Sequence, residues 1–503
     1  MSETASAASP NAGTTTTTTT TTTGTDAAAH DAAASAADAA TGIRNRLVIT
    51  LLLVSTFVVI LNETIMGVAL PRLMSDLSIT ASAAQWLTSA FMLTMAVVIP
   101  ITGFLLQRFN TRPVFIAAMT LFSTGTLIAA VAPGFEVLLA ARVVQATGTA
   151  IMFPLLLTSV MTLVPPAHLG RMMGNISIVI SVAPAIGPTI SGAILSVLDW
   201  RWMFILVLPI ALTALVVGGI LMQNVTTPRK TPIDVLSVIL SALGFGALVY
   251  GLSNLGTAPG GIASVAGGLP LLVGALGLTL FILRQLVLQR TDAALLDLRT
   301  FRSRTFTFSI VMMAISMMAL FGTIILLPIY SQTVLGLTEL QAGLMLLPGG
   351  LVMGLLAPFV GRLYDRSGPT RLLITGSSIV SAVFWSMTLL NANSSPWLVL
   401  AAHVSLRFGL ALLFTPLFTA SLAAVRPELY SHGSAVVGTV QQLAGAVGTA
   451  LFVTVMASVA ASRLASGATD VAATSAGIQA AFLCGAVISL FAIPAAFFIR
   501  RPV

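Results

Sequence analysis

The chain has 503 residues, of which 57% are hydrophobic and 8% are charged, whereas a soluble domain has about 45–50% apolar and about 25% charged residues. This composition excludes a water-soluble globule. The formal net charge is +8, but the basic residues are scattered singly between apolar runs, which argues against nucleic acid as a partner. The single cysteine, Cys484, excludes an intrachain disulfide and a cysteine-based metal site, and we expect neither a metal nor a cofactor.

The first 42 residues predict a disordered tail. They are rich in Ala, Ser and Thr, with an unbroken run of threonine from Thr14 to Thr23. Such a segment lacks the apolar periodicity that a packed core requires. It also lacks the basic start and short apolar centre of a cleavable signal peptide, so we expect the N-terminus to be retained.

From residue 47 onward, apolar runs of about 20 residues follow one another, and each is long enough to cross a hydrocarbon core of about 30 Å. We count fourteen predicted spans, which begin near residues 47, 84, 113, 136, 170, 202, 233, 267, 305, 340, 370, 396, 433 and 476. The sequence therefore predicts an all-α integral membrane protein. We divide it into a tail (1–42), a six-helix half (43–225), two inserted helices with a cytoplasmic linker (226–304) and a second six-helix half (305–503).

The distribution of basic residues predicts the orientation of these spans. If the N-terminus is cytoplasmic, loops on that side hold eighteen of the 23 Arg and Lys residues and loops on the other side hold three, with Arg142 and Arg407 inside spans. This asymmetry satisfies the positive-inside rule. We therefore predict a multi-pass protein of the plasma membrane, with both termini in the cytoplasm. The preference for Arg over Lys suggests a bacterial genome.

The chain repeats itself at an offset of eight spans. Leu139 to Arg142 with Gly148 in span 4 is echoed by Leu400 to His403 with Gly409 in span 12. The segment Gly103 to Arg108 after span 2 is similarly echoed by Gly361 to Arg366 after span 10. The echoes predict two six-helix halves separated by two inserted helices, and transporters commonly bind cargo between such halves.

Two charges deep in predicted spans stand out. Glu63 lies about 24 Å along span 1 from its cytoplasmic start, and Arg142 lies about 9 Å into span 4 from the opposite side. Both are therefore expected in the outer half of the membrane. Because a charge near the bilayer centre costs about 2.5–3.5 kcal/mol, such residues usually face a cavity. The alternative is a purely structural ion pair.

Motifs in the spans resemble those of the major facilitator superfamily, in particular its fourteen-helix drug:proton antiporters of the lincomycin-resistance-like branch. The resemblance rests on four segments, in the right order and on the right helices: Leu61 to Pro71; Arg142 with Gln145 and Gly148; Ala183 to Gly192 around Gly187-Pro188; and Leu327 to Gly350. It implies the major facilitator fold and export coupled to protons. It also implies a gating and antiporter set formed by Gly187, Pro188, Gly361, Asp365, Arg366 and Gly368.

The chain departs from the family pattern at three places. Asn62 stands where the first-helix motif usually has Asp, so the carboxylate moves one residue to Glu63, a turn of about 100° on the helix. Gln107 and Asn110 replace Asp and Gly after span 2, whereas the second copy keeps Asp365, Arg366 and Gly368. Ala183 and Ser191 replace glycines in span 5. The gate is therefore expected in the second copy, where Asp365 can pair with nearby arginines.

The predicted sites follow from these observations. Glu63 and Arg142 are the proton-coupling pair, and the residues that line the substrate cavity are Asn62, Met66, Gln145, His403 and Arg407. Simpler interpretations remain open: Gly187-Pro188 as a helix kink, Asp365 and Arg366 as solvated loop charges, and His403 as a packing residue.

The function predicted from these sites is proton-coupled export of hydrophobic small molecules or drugs by a monomer in the lipid bilayer. The alternatives are a proton-coupled exporter or uptake porter for an amino acid, sugar or lipid, and a passive uniporter or channel. An enzyme is not expected, because no nucleotide-binding glycine loop or nucleophile motif stands out in a long extramembrane segment.

Overall fold

A computed structural model of the chain describes residues 23–224, 228, 234–254 and 264–500, although the side chains of residues 23–41 and of scattered helical residues, Pro188 among them, lie outside that description. The described residues are almost entirely helical and contain no strand. Their α-helices are α1 (Thr23–Asp76), α2 (Ala81–Arg108), α3 (Thr111–Ala130), α4 (Phe135–Leu163), α5 (Leu169–Leu195), α6 (Trp202–Leu221), α7 (Val235–Asn254), α8 (Val265–Leu288), α9 (Arg304–Ile329), α10 (Glu339–Ser367), α11 (Pro369–Met387), α12 (Pro396–Ala423), α13 (Tyr430–Ala465), α14 (Asp470–Leu490) and the short α15 (Ala492–Ala496).

The predicted spans agree with these helices, whose starts match to within three residues from α2 to α13. Thirteen helical stretches in the described residues are long and apolar enough to cross a membrane. Helix α11, with 19 residues, is the remaining one of the fourteen, and its Thr375 to Ser378 segment makes it less apolar than the others. The prediction of an all-α membrane fold is confirmed.

Hydroxyl side chains start several of these helices. Thr80, Ser303, Ser395 and Thr469 each accept a hydrogen bond from a backbone N–H in the first turn of the helix that follows. Helix α10 begins with a full capping box between Thr338 and Gln341. Gln341, part of a motif that resembles the family, therefore has a structural role at this helix start.

The described residues divide into two compact units, one within residues 23–47 and one from residue 48 onward. Helix α1 begins at Thr23, inside the segment predicted as a tail, where residues 27–40 are rich in Ala, the strongest helix former. The first 22 residues lie outside the described residues. For those residues the disordered tail stays a prediction.

Within residues 48–503, the same pairs of helices pack in both halves. The packed pair α3–α4 in the first half corresponds to α11–α12 in the second half. In the same way, α2–α4 corresponds to α10–α12, and α3–α6 corresponds to α11–α14. Each pair recurs eight helices later, which is the offset of the sequence echoes. The internal repeat is therefore structural as well as sequential.

The two inserted helices form a hairpin that touches both halves. Helix α7 packs on α8, on α2 of the first half and on α13 of the second half. Gly244 and Gly277 bring α7 and α8 together, because a Cβ on Gly277 would lie 2.9 Å from the backbone nitrogen of Gly244. The outer face of α8 exposes Leu276, Leu280 and Leu283, as expected of a surface in contact with hydrocarbon.

Candidate functional site

A buried arginine joins α1, α2 and α4 in the first half. Arg142 is 1% exposed, and its Nη1 donates to Gln145 Oε1 at 2.6 Å and to Asn62 Oδ1 at 3.3 Å. Its guanidinium lies over the ring of Phe91, 4.1 Å from the centroid. Gln145 Nε2 in turn donates to Thr126 Oγ1 on α3 at 2.8 Å. Three predicted site residues are thus brought together in one polar network inside the membrane.

Glu63 lies beside this network but does not bond to it directly. Its side chain is half-buried, and it interacts electrostatically with Arg142. Among the described residues, however, no ion pair within 4.0 Å joins Glu63 to Arg142. The one-residue shift from Asn62 explains this difference, because successive helix positions are rotated by about 100°. The amide contacts Arg142, and the carboxylate is left without an ion pair within the described residues.

Gly187 of the predicted antiporter motif packs against the residue that follows Glu63. A Cβ on Gly187 would collide with Thr64 Oγ1, and that hydroxyl already donates to the carbonyl of Leu61 at 2.9 Å. Glycine therefore allows α5 to approach α1 at the level of the carboxylate. The side chain of Pro188 lies outside the described residues.

Met66 occupies a different environment from the one predicted. It is 2% exposed and belongs to a hydrophobic cluster with Leu73, Leu87 and Trp200. One turn of helix separates it from the polar network, on the face that packs inside the first half. Contact with cargo at this position would require a rearrangement of that cluster.

In the second half, His403 and Arg407 lie together on α12. His403 is 1% exposed, and its Nε2 lies 3.2 Å from the carbonyl oxygen of Leu346 on α10. Gly349 of α10 makes room for both, since a Cβ there would collide with the imidazole and lie 2.8 Å from Arg407 Cγ. Nδ1 of His403 and Nε of Arg407 are buried without a described hydrogen-bond partner.

Asp365 connects the two halves at the predicted cytoplasmic end. Its Oδ1 accepts from the backbone N–H of Gly170 at 2.8 Å, and its Oδ2 accepts from that of Arg171 at 2.9 Å. Both amides belong to the first turn of α5, whose N-terminus carries partial positive charge. A carboxylate on α10 thus caps a helix of the other half.

This contact differs from the predicted ion pairs of Asp365 with nearby arginines. In the described part of the chain, no ion pair within 4.0 Å involves Asp365, and Arg362, Arg366 and Arg371 are exposed. The reason is the close crossing of α5 and α10, because a Cβ on Gly361 would collide with the carbonyl of Gly170. The carboxylate therefore reaches backbone amides that a larger residue would cover.

Gly368, the last member of the predicted gating set, has a structural role. It links α10 to α11 with φ of 75°, a conformation that glycine adopts without steric cost.

The equivalent contact in the first copy is weaker. Gly103 of α2 packs on α13, and a Cβ on it would lie 3.0 Å from His432 Nδ1. Gln107, which stands in the position equivalent to Asp365, donates through Nε2 to the carbonyl of Glu428 at 2.9 Å. A neutral amide that donates to a carbonyl thus stands where the second copy has a carboxylate that caps a helix.

Hydroxyl hydrogen bonds between the halves lie toward this end of the bundle, whereas Gln442 Nε2 of α13 lies 3.4 Å from Met95 Sδ of α2 farther from it. Thr158 donates to Ser434 at 3.1 Å, and Thr415 donates to Ser177 at 2.9 Å. Farther along the helices, the polar groups around Arg142 and Arg407 make their described hydrogen bonds within their own halves. The halves are therefore joined at the predicted cytoplasmic end.

The acids near the inserted hairpin have structural partners. Asp234 accepts from Arg284 Nε at 2.6 Å and Nη2 at 2.7 Å, and the hydrogen bond with Arg284 lowers the pKa of this carboxyl to about 2. Asp297 pairs with Arg299, and the hydrogen bond between them raises the pKa of the Arg299 guanidinium above its usual value. Both carboxylates are thus fixed in ion pairs.

Gln285 links the hairpin to the chain before α9. Its Nε2 donates to Ser237 Oγ at 2.7 Å, and its Oε1 accepts from the amide of Leu295 at 2.8 Å. Sequence reasoning overlooked this residue, as it overlooked Phe91 and Gly170. The four-residue step from Gly170 to Gly174 was the available signal for the α5 crossing.

Comparisons with known proteins agree with this architecture. A profile of the Major Facilitator Superfamily matches residues 52–449. The chain is 43% identical over 463 residues to the uncharacterized MFS-type transporter YcnB of Bacillus subtilis (strain 168), covering 91% of this chain and 96% of that one. It is 40% identical over 456 residues to the lincomycin resistance protein LmrB of the same organism, covering 90% and 95%.

A solved structure shows the same fold at low sequence identity. The human organic anion transporter MFSD10 (TETRAN) aligns with a TM-score of 0.63 and 15% identity, over 90% of this chain and 99% of that one. The fourteen-helix arrangement, the paired halves and these matches lead to one conclusion. The chain belongs to the Major Facilitator Superfamily of membrane transporters.

Proposed function

We propose that this chain is a proton-coupled antiporter that exports hydrophobic small molecules, including drugs, across the plasma membrane of a bacterium. The observation that carries the proposal is the position of Glu63, a half-buried carboxylate inside a predicted span, beside the Arg142 network. The other acids of the described chain lie outside the predicted spans or near their ends. The similarity to lincomycin resistance protein LmrB favours drugs as cargo and export as the direction.

The coupling depends on the balance of two effects at Glu63. Removal from water disfavours the charged carboxylate, whereas the neighbouring guanidinium of Arg142 favours it. A movement that changes the distance between the two groups therefore changes proton affinity. Gly187 places α5 against Thr64, so a shift of α5 is transmitted to the residue next to the carboxylate.

Antiport requires two states, and the contacts at the predicted cytoplasmic end stabilise one of them. In the structure, Asp365 caps α5 and the halves are joined at that end. In this state the carboxylate of Glu63 exchanges protons with the outside. Separation of α5 from α10 would open the cytoplasmic side, where cargo competes with the proton for the site. Inward proton movement then drives cargo outward.

Proteoliposomes with an imposed proton gradient test the proposal, with lincomycin and the dye 1-pyrenebutanamide as probes. We expect Glu63→Gln to abolish gradient-driven movement but to retain binding and downhill exchange. Glu136→Gln is the matched control, because Glu136 is exposed in the first turn of α4. Wild-type coupling in Glu63→Gln would exclude this carboxylate as the essential proton carrier. Failure of the wild-type protein to move either probe with the gradient would contradict the function itself.

A further inference from the structure

Two basic side chains inside α12, His403 and Arg407, have no acidic partner within 4.0 Å among the described residues. Glu339, Asp365, Glu428 and Asp470 are the acids between residues 305 and 503, and all four lie at helix ends. His403 and Arg407 lie two to three turns inside α12, away from those ends. A guanidinium at such a depth is costly unless a partner of opposite charge or a set of acceptors compensates it.

Arg407 contrasts with Arg142 in this respect. Arg142 donates to Asn62 and Gln145, stacks on Phe91 and lies near Glu63. Arg407 has none of these compensations within the described part of the chain, where its Nε is buried without a hydrogen-bond partner. Its aliphatic stem packs on Gly349, and the side chain is half-buried, so that it retains access to the space beside α10.

The position of Arg407 places it just above the contact between the halves. Gly354, five residues after Gly349 on α10, meets Val182 of α5, and Thr415, eight residues after Arg407 on α12, bonds to Ser177 of α5. At about 1.5 Å per residue, Arg407 therefore lies roughly 8–12 Å beyond these contacts, away from the predicted cytoplasmic end. This is the depth at which cargo would bind between the halves.

We infer that Arg407 forms an anion-binding subsite for cargo, and that the transporter accepts apolar compounds that carry one oxyanionic group, such as a carboxylate. The planar guanidinium fork matches the two oxygens of such a group. Nε2 of His403 lies 3.2 Å from the carbonyl oxygen of Leu346, which only accepts, so Nε2 carries a proton and donates it to that carbonyl. An acidic cargo supplies the counter-charge that the second half lacks.

The inference rests on the proposed function, since it specifies the cargo of the proposed exporter. Binding of 1-pyrenebutanoate and of its uncharged amide to purified protein in a phosphate-free detergent, with protein-free micelles subtracted, tests it directly. We expect the wild-type protein to bind the acid about tenfold more tightly than the amide. Equal affinity for the two compounds would overturn the inference without any variant.

Three variants separate charge recognition from folding. Arg407→Gln is expected to bind the acid and the amide with equal affinity, while Arg407→Lys keeps part of the preference for the acid because the charge remains without the fork. Arg463→Gln, at the exposed end of α13, should bind both probes as the wild type does. An equal loss of both probes in Arg407→Gln and Arg407→Lys would indicate a packing role and contradict the inference.

Two further measurements identify the anion that occupies the site and show which of the two proposals is contradicted. Displacement of the acid by phosphatidylglycerol at equal concentration would identify a lipid headgroup as the occupant and overturn the assignment to cargo. Gradient-driven movement of the amide alone would support the proposed function and contradict this inference. If the gradient drives neither compound although the acid binds preferentially, the subsite stands and the coupling proposal fails.

Discussion

Asp365 Oδ1 accepts a hydrogen bond of 2.8 Å from the backbone N–H of Gly170, and by this contact one six-helix half holds the N-terminus of a helix in the other. The bond combines charge assistance with the partial positive charge of the α5 terminus. It is also reversible, because separation of the helices exposes both partners to water. The contact therefore favours the state that is closed at the predicted cytoplasmic end.

We expect Asp365→Asn to shift the protein toward the state that is open at that end. Asparagine keeps one acceptor oxygen, but it lacks the charge and presents an NH2 group to the second amide. A loss of about 1–2 kcal/mol corresponds to a population change of roughly 5- to 30-fold. The measurement is the maleimide labelling rate of Ser177→Cys in a Cys484→Ser background in inverted vesicles, since Ser177 is buried at the seam.

Asp470→Asn is the matched control for this variant. Asp470 is an acid in the first turn of α14, but it is exposed and takes no part in the described contacts between halves. Its labelling rate should equal that of the parent. Equal rates for Asp365→Asn and Asp470→Asn would mean that the α5 cap does not set the conformational equilibrium.

Arg142→Lys should weaken coupling while the protein still folds. Lysine keeps the charge but cannot reproduce the bonds to Gln145 and Asn62 together with the stacking on Phe91. A loss of about 1.5–3 kcal/mol predicts gradient-driven transport reduced by about 10- to 100-fold. Transport in proteoliposomes measures this, and Arg463→Lys serves as the exposed control. Undiminished transport in Arg142→Lys would show that the fork geometry is unnecessary.

Asp234→Asn should lower the thermal stability of the detergent-solubilised protein in a pH-dependent way. The bond with Arg284 lowers the pKa of Asp234 to about 2, below the value of about 3.9 for an unfolded chain. A depressed carboxyl pKa stabilises the folded state above pH 4, and this contribution is lost as pH falls from about 4 toward 2. The melting temperatures of variant and wild type should thus differ at pH 7, and the difference should be roughly halved at pH 3 and close toward pH 2. A difference in melting temperature that does not change with pH would show that the variant acts through packing and not through the ion pair.

Labelling of tags in intact cells tests the predicted orientation. Tags at both termini should be protected from impermeant reagents, because the excess of basic loop residues lies on that side. A tag inserted at Gly467, in the turn between α13 and α14, should be accessible. Gly467 suits an insertion because a Cβ there meets nothing within 4 Å. Labelling of either terminus from outside would contradict the predicted orientation.

The helices and their starts could be predicted from sequence because a membrane imposes a simple rule. Every span needs about 20 apolar residues, whatever its neighbours are. Local signals such as Thr80, Ser303 and the Thr338-Gln341 capping box then mark where helices begin. Glu63, Arg142 and Asp365 were also recognisable, because charge among apolar residues is costly and therefore conspicuous.

The partners of those residues depend on the crossing of helices that are distant in sequence. Whether Arg142 meets Asn62 or Glu63 depends on the rotation of α1 against α4, and a single residue step changes it by about 100°. Asp365 reaches the amides of α5 only because Gly170 and Gly361 allow the two backbones to approach. Sequence by itself determined the number, order and polarity of the helices, since these follow from local composition. Only the tertiary structure decided which buried charges are compensated, because compensation requires atoms to meet across helices, and Arg407 has no such described partner.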